Sequence, residues 1–390
     1  MKICGVIAEY NPFHNGHKYQ LAEARRITGC DYLIVVMGGA FSQRGETMCL
    51  DKWTRARMAL ENGADLVVEL PALFAVRSAD WFALGGVQIL AGLGADSLCF
   101  GCETDDLSLL HRMLTLLSEE DDELKSAIRM RLDQGLSHVR ARGEAVSERL
   151  NLSPDAISLP NTVLALEYMR VNRTLARPMD VCAVRRTGSY HDQTVSSLAS
   201  ASAIRAALLR GETGSVRSAM PESAYSLLAS SISGRIADMS RLDALLIDRL
   251  RTLPLNQLPD TGEGLDNRAL KCAGESGSRE AFLAMMKCKR YTHARLSRLC
   301  AHALLGLTQE MTLRHPVPTY ARALGFRKDA SPLLTHLKSA PLPLVTRPSV
   351  LKDDEIFALE RRATDLQSLC FADEAARAMS RDLTEKMIVL

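Results

Sequence analysis

His14 and His17 stand three residues apart in the stretch Glu9-Tyr10-Asn11-Pro12-Phe13-His14-Asn15-Gly16-His17-Lys18-Tyr19-Gln20. Two imidazoles around an Asn-Gly step bring positive charge and directional N–H donors to one small region. Such groups suit a centre that gains negative charge as it reacts, above all a phosphorus atom undergoing displacement. Gly16 lets the backbone come close to a ligand. The bland alternative is a helix-capping turn with two histidines of no special use, and the elements around the turn decide between the two.

Residues 2–9, 31–37, 64–70 and 96–101 are short apolar runs rich in β-branched residues, as expected for strands buried on both faces. Between them, residues 17–28, 51–62 and 78–93 read as helices. Asp51 is placed to cap the second, and Gly63 follows its last periodic residue. Strand and helix alternate as βαβ units of a parallel sheet with right-handed crossovers. The histidine pair then lies where the first strand hands the chain to the first helix, the end at which open α/β sheets bind ligands. Free N–H groups and the positive end of the helix dipole there favour phosphate.

Residues 105–150 turn helical and charged, with an acidic run at 119–123 that reads as a solvated turn. Strand character returns at 179–186, after a helix beginning near Leu159, and a further helix is expected over 202–210. Beyond Pro221 the pattern is helices and Pro/Gly-rich connections without sustained alternation. The expected fold class is α/β, a Rossmann-like parallel sheet with a mainly helical C-terminal region. The expected division is 1–220 for a nucleotide-binding catalytic domain and 221–390 for a helical, basic region.

A chain of 390 residues exceeds the usual size of one core, which agrees with that division. Its ten cysteines are scattered singly, as befits reduced thiols, and the lone Cys99–Cys102 CxxC is weak support for metal or redox use. No apolar run approaches the roughly 20 residues of a membrane span, and the chain opens on a strand instead of a charged leader. A cytoplasmic protein is expected. The net charge of +2 conceals an asymmetry. Over 281–328 stand Lys287, Lys289, Arg290, Arg295, Arg298, Arg314, Arg322, Arg327 and Lys328 against Glu310 alone, which points to a polyanionic partner. At 100° per residue, Lys287, Arg290, Arg295, Arg298 and His302 share an arc opposite Met285, Met286, Leu296, Leu299 and Leu304, the pattern of a helix with a basic outer face.

His14-Asn15-Gly16-His17 fits the HxGH signature of the nucleotidylyltransferase superfamily, which shares its fold core with class I aminoacyl-tRNA synthetases. The segment ASASAIRAALLRG at 199–211 resembles that superfamily's second phosphate-binding motif, in which Ser200, Ser202 and Arg205 would hold the β- and γ-phosphates. The segments 36–60, FGCE at 100–103, LPN at 159–161 and RRTGSYHD at 185–192 together resemble the tRNA(Met) cytidine acetate ligase family. The similarity spans essentially the whole chain, with a segment one residue short after Gly188.

The resemblance implies activation of acetate by ATP and transfer of the acetyl group to the wobble cytidine of elongator tRNA(Met). It implies ATP contacts from Ile7, Ala8, Glu9, Tyr10, Asn11, Pro12, Phe13, His14, Asn15, Gly16, His17, Lys18, Tyr19 and Gln20, with Gly101, Asn161, Arg186, Thr187 and Ser202. His14, His17 and Arg205 would carry the chemistry, and Lys287, Arg290, Arg295 and Arg298 would meet the tRNA. Mg²⁺ is expected with ATP, although no carboxylate cluster names its ligands. Tyr291 and Tyr320 would either stack unpaired bases or pack in the core. Residues 43–46, Asp51, Lys52 and Arg55 would either wall the site or form a charged exposed helix. The rival functions are a small-molecule adenylyltransferase, which needs no basic extension, and a nucleotide- or RNA-binding module without catalysis.

Overall fold

The structure is a computed structural model of the whole chain and describes every residue except 137, 187–199, 232–233, 263 and 289. Its centre is a sheet of the parallel strands β1 (Ile3–Ala8), β2 (Tyr32–Gly38), β3 (Leu66–Leu70), β4 (Ser97–Cys102) and β5 (Asp180–Arg185). Between and after them run α1 (Asn15–Thr28), α2 (Lys52–Glu61), α3 (Ala72–Ala75), α4 (Ala79–Gly92), α5 (Leu107–Ser118), α6 (Asp122–Asp133), α7 (His138–Arg149), α8 (Pro160–Arg173) and α9 (Ala201–Leu209). The strands and helices expected over residues 2–101 and 179–210 appear within a residue or two of their boundaries, because long apolar runs and strong periodicity leave little choice.

The chain past Pro221 is mainly helical, with α10 (Glu222–Ser231), α11 (Asp243–Thr252), α12 (Leu265–Glu275), α13 (Arg279–Met286), α14 (His293–Leu305), α15 (Gln309–Arg314), α16 (Ser331–His336), α17 (Glu355–Leu369) and α18 (Arg381–Thr384). It also returns to the sheet. Strand β6 (Ala321–Phe326) pairs antiparallel with β3, and β7 (Leu344–Val345) and β8 (Ile388–Val389) pair with β6. The order is β5-β4-β1-β2-β3-β6-β7. No alternation announced β6, because it is buried along nearly its whole length and its Ala-Arg-Ala-Leu-Gly-Phe run holds no β-branched residue.

Two cores cover the two faces of the sheet. One joins Cys4, Val6, Leu33 and Val35 to α1, α2 and α9. The other joins Ile3, Ile34, Val36 and Leu98 to α4, α8, α14 and α17, so C-terminal helices share the core under the sheet. Strand β1 lies between β2 and β4, and the strand order grows outward from it in opposite directions, to β2 and β3 on one side and then to β4 and β5 on the other. The turn after β1 is therefore at the topological switch point of the sheet.

The expected basic helix does not form as one element. Met286 ends α13, Thr292 caps α14 by accepting from the Arg295 N–H at 3.3 Å, and Lys287 and Arg290 fall on the connection between them. Arg298 and His302 are buried, not on an outer face, because α14 is packed on both sides. Tyr291 and Tyr320 are also buried, so neither offers a ring to a base. Further along, Arg314 is paired with Glu310 and Glu355, Arg322 with Glu69 and Asp382, and Arg327 with Asp329.

Candidate nucleotide site at the first strand–helix turn

The helix begins at Asn15, two residues earlier than the sequence suggests, because His14 itself caps it. His14 Nδ1 accepts from the Gly16 N–H at 3.1 Å, and His17 Nδ1 accepts from the His14 N–H at 3.2 Å. This is a capping box with imidazoles in both roles. The Gly16, His17 and Lys18 amides are thereby used within the turn, the last two by the His14 carbonyl at 2.9 and 3.2 Å. The outward donors are then the imidazoles. A ring nitrogen that accepts an N–H carries no proton, so each neutral ring holds its proton on Nε2.

The two rings stack at 3.7 Å between centroids, and Tyr10 and Phe13 support His17 at 4.8 and 5.6 Å. Burial pushes the His14 pKa down to about 3, and the nearby Arg186 adds to the effect. Burial, then His14 and Arg186, holds His17 well below its ordinary value. The pair is therefore uncharged near neutrality. The expected positive charge is absent, and what the turn offers is two fixed N–H donors.

A consequence for stability follows from His14. Its folded pKa lies below the unfolded value of about 6.5, so between about 6.5 and 3 the unfolded chain binds a proton that the folded chain refuses. That contribution is present above pH 6.5 and is lost as the pH falls through the window. A His14→Gln variant should therefore approach wild-type stability, or overtake it, as unfolding is followed from pH 7 to pH 4. A gap that stays constant across this range would contradict the neutral assignment.

Around the turn the sequence-predicted residues divide. Gly101, Asn161, Arg186 and Gln20 come together at the carboxyl ends of β4 and β5. Arg186 Nη1 donates to Asn161 Oδ1 at 3.3 Å, and a Cβ at Gly101 would lie 3.7 Å from the Gln20 amide and 3.9 Å from Arg186. On the other flank, Arg205 Nη1 donates to the Asn11 carbonyl at 2.8 Å, and its Nη2 lies 4.0 Å from Glu46 Oε2. Ser200 caps α9 through the Ala203 N–H at 3.3 Å, and the exposed Ser202 hydroxyl lies 2.9 Å from that of Ser200. Glu9 ends β1 with Oε1 accepting from the Gln43 N–H at 2.6 Å, and burial pushes its pKa up.

Other residues of the segment 7–20 serve the scaffold. Ile7, Tyr10 and Phe13 are core, and the Asn11–Pro12 bond is cis. Asn11 Oδ1 accepts from the Cys49 N–H at 2.8 Å, and Asn15 Nδ2 donates to the Ser218 carbonyl at 2.9 Å. Ala8 is half-buried, whereas Lys18 and Tyr19 are exposed on α1. Thr187 lies outside the described residues.

Glu103 escaped the sequence reading, which placed Arg55 only as a site wall or as part of a charged exposed helix. Glu103 accepts from Asn161 Nδ2 at 2.7 Å and from Thr162 Oγ1 at 2.9 Å, which fixes the Asn161 amide with its oxygen toward Arg186. Its only signal was its place in FGCE at a strand end. Arg55 is fully buried and straps the strand ends, donating to the carbonyls of Leu50 at 3.0 Å, Glu9 at 2.6 Å, Gly38 at 3.0 Å and Gly39. Asp51 caps α2 through the Thr54 N–H at 2.9 Å and Lys52 is buried, so the start of α2 is not an exposed charged helix. Among the described residues no cluster of His, Cys, Asp or Glu could hold a metal ion, and no helix is long and apolar enough to cross a membrane.

Residues 1–382 match the family model of the HIGH Nucleotidyl Transferase. A tRNA(Met) cytidine acetate ligase of Acetivibrio thermocellus is 34% identical over the full length of both chains, and one from a Geobacillus species is 36% identical over 96% of each. The crystal structures of Thermotoga maritima TmcAL, apo and bound with alpha-thio ATP, superpose with TM-scores of 0.92 and 0.90 at 31% identity, each covering all of both chains. The chain belongs to the HIGH nucleotidyl transferase family and, within it, to the tRNA(Met) cytidine acetate ligase family.

Proposed function

We propose that the protein is an ATP-dependent ligase that makes acetyl-adenylate from acetate and acetylates the wobble cytidine of elongator tRNA(Met) to N4-acetylcytidine. The observation that carries this reading is the His14–His17 turn at the switch point, with two neutral Nε2–H donors and Arg205 on its flank. Residues 1–220 would supply the ATP site and 221–390 the tRNA contacts, the exposed Lys287 and Arg290 and the half-buried Arg295 among them.

In the first step an acetate oxygen attacks the α-phosphorus in line. The bond to the bridging oxygen breaks, and pyrophosphate leaves with the electron pair. His14 and His17 donate to oxygens that gain charge, while Arg205 and Ser202 hold the departing phosphates. In the second step the cytidine amine attacks the acetyl carbonyl, AMP leaves and the amine loses a proton. The wobble base must leave its stack to reach the crevice. Mg²⁺ would be held by the phosphates and water, a common arrangement for this ion. Gly101 supports an open floor for the nucleotide, since a Cβ there would meet only ordinary contacts and packing alone does not demand glycine. A tRNA substrate would place the protein in the cytoplasm.

Glu103 tests the ATP assignment. Glu103→Ala removes the acceptor of the bonds from Asn161 and Thr162, at a cost of about 1.5–3 kcal/mol in positioning. The KM for ATP should rise roughly tenfold, with kcat little changed. A fall in kcat alone would contradict the role. The function as a whole is tested by incubating the purified protein with ATP, labelled acetate and tRNA, then analysing nucleosides. Label in N4-acetylcytidine of elongator tRNA(Met) supports the reading; unlabelled tRNA with AMP transfer to a phosphate acceptor sinks it.

A further inference from the structure

The seam between α14 and the turn after α3 holds two arginines for which the nucleotide site has no use. Arg77 is 2% exposed, and its Nε and Nη1 have no hydrogen-bond partner. Its Nη2 reaches Asp260 Oδ1 only at 3.5 Å, the outer limit of a useful bond. Arg298 is 9% exposed and makes no hydrogen bond among the described residues; its Nε is buried and unpaired. Asp260 Oδ2 is unpaired as well, and Asp80, the other acid nearby, is engaged by Ser78. Below them His302 Nε2 meets the Val76 carbonyl at 2.6 Å, and burial holds that imidazole down to about 4, so it adds no charge.

Each unsatisfied buried donor costs on the order of 1–3 kcal/mol, more when charged. Two guanidinium groups near enough to act on each other's charge, with one poorly aligned carboxylate beside them, make a frame that a tetrahedral oxyanion would fit through paired N–H donors. The surrounding packing is rigid. Gly45, at φ 76°, brings its loop so close to α14 that a Cβ would lie 2.6 Å from the Arg298 nitrogen. Trp81 lies under the Arg77 guanidinium at 4.4 Å. The frame also adjoins the nucleotide crevice: Gln43 donates its N–H to Glu9 at the end of β1 and its Nε2 to the Arg77 carbonyl at 2.9 Å.

We propose that Arg77 and Arg298 form a binding site for a phosphate group, filled by a backbone phosphate of the RNA whose target base lies in the adjoining crevice. The RNA in this assignment rests on the ligase reading above, whereas the oxyanion chemistry does not. Access is past Asp260, whose side chain is 31% exposed. That carboxylate competes with the ligand for the same donors and marks the point at which the site can be opened.

The test measures the affinity of the full-length protein for elongator tRNA(Met) over a series of KCl concentrations. Arg298→Gln should weaken binding roughly tenfold and lower the slope of log K against log salt by about one. Asp260→Asn loosens the hold on Arg77 and removes the negative charge near Arg298, and should tighten binding several-fold. Asn tolerates the left-handed backbone of Asp260, at φ 61°, so this variant should fold even if Arg77→Gln does not. Any other combination overturns the assignment, and weaker binding by Asp260→Asn would show arginines that serve only to balance that acid. Inorganic phosphate at constant ionic strength separates the sources. If phosphate raises the thermal midpoint of wild type but not of Arg298→Gln, while tRNA affinity is the same in both, the site takes free phosphate and the RNA assignment falls. Acetate-dependent ATP–pyrophosphate exchange by the wild-type protein, without tRNA, tests the ligase reading separately.

Discussion

Replacing His17 by alanine is expected to lower kcat for acetate-dependent ATP–pyrophosphate exchange by about 10²–10³-fold, the usual loss when one fixed donor to a developing oxyanion is removed. His17 does two things with its two nitrogens. Nδ1 holds the His14 N–H and so shapes the start of α1, while Nε2–H is free to meet the phosphate. The two roles can be separated. In His17→Asn the side-chain oxygen takes the Nδ1 place and restores the cap, so the fold should keep its stability while the rate stays low. In His17→Gln the longer amide places an N–H nearer the Nε2 position, and part of the rate should return. Equal rates for the Asn and Gln variants would mean that His17 acts through the turn and not on the substrate. The effect should appear in kcat more than in KM, because the donors face charge that grows only as the bond to pyrophosphate breaks.

The second large effect concerns the joint between the C-terminal region and the sheet. Lys52 lies 2.5 Å from both Glu69 and Asp382, and Arg322 lies 2.9 Å from Glu69 and also bonds Asp382; all four are buried. Burial opposes charge on Arg322, yet Glu69 and Asp382 more than offset it, so its pKa stands above the ordinary value. Glu360 lies beside Glu69 over Gly39, where a Cβ would come within 2.9 Å of both carboxylates. Burial, and then Glu69, pushes its pKa well up, so Glu360 is protonated and the cluster balances at two charges of each sign.

Removing one partner leaves a buried charge uncompensated. Arg322→Met should therefore destabilise the protein by about 3–5 kcal/mol, measured by guanidinium unfolding. The pair Glu69→Leu with Arg322→Met leaves Lys52 facing Asp382, restores the balance and should recover much of the loss. Glu360→Gln keeps a donor toward Glu69 and should cost much less than Arg322→Met. If the double variant were worse than the single one by the full cost of a second lesion, charge balance would not be what holds this joint.

The parallel strands were legible because runs such as 31–37 admit few other conformations, and Asp51 announced α2 through a cap whose hydrogen bond the structure contains. Strand β6 was not, since its stability comes from Arg322 meeting acids about 60 and 253 residues away in sequence, which no local window contains. The basic arc was right as spacing only from Arg295 to His302, since Lys287 and Arg290 precede α14, and wrong as surface for Arg298 and His302. Periodicity says which residues share a face, but what covers that face is set by tertiary packing, here the Gly45 loop and the end of α3. The same limit applies to the histidine pair. Its position was plain from the sequence, while its neutral state depends on burial that only the folded structure supplies.

The most direct test of the account is exchange of labelled pyrophosphate into ATP by the purified protein without tRNA. The arrangement of His14, His17 and Arg205 predicts exchange that requires acetate, rises with acetate to saturation and is lost in His17→Ala. Exchange that proceeds without any carboxylate, or only when a phosphate acceptor replaces acetate, would contradict the acetyl-adenylate mechanism and return the site to a small-molecule adenylyltransferase.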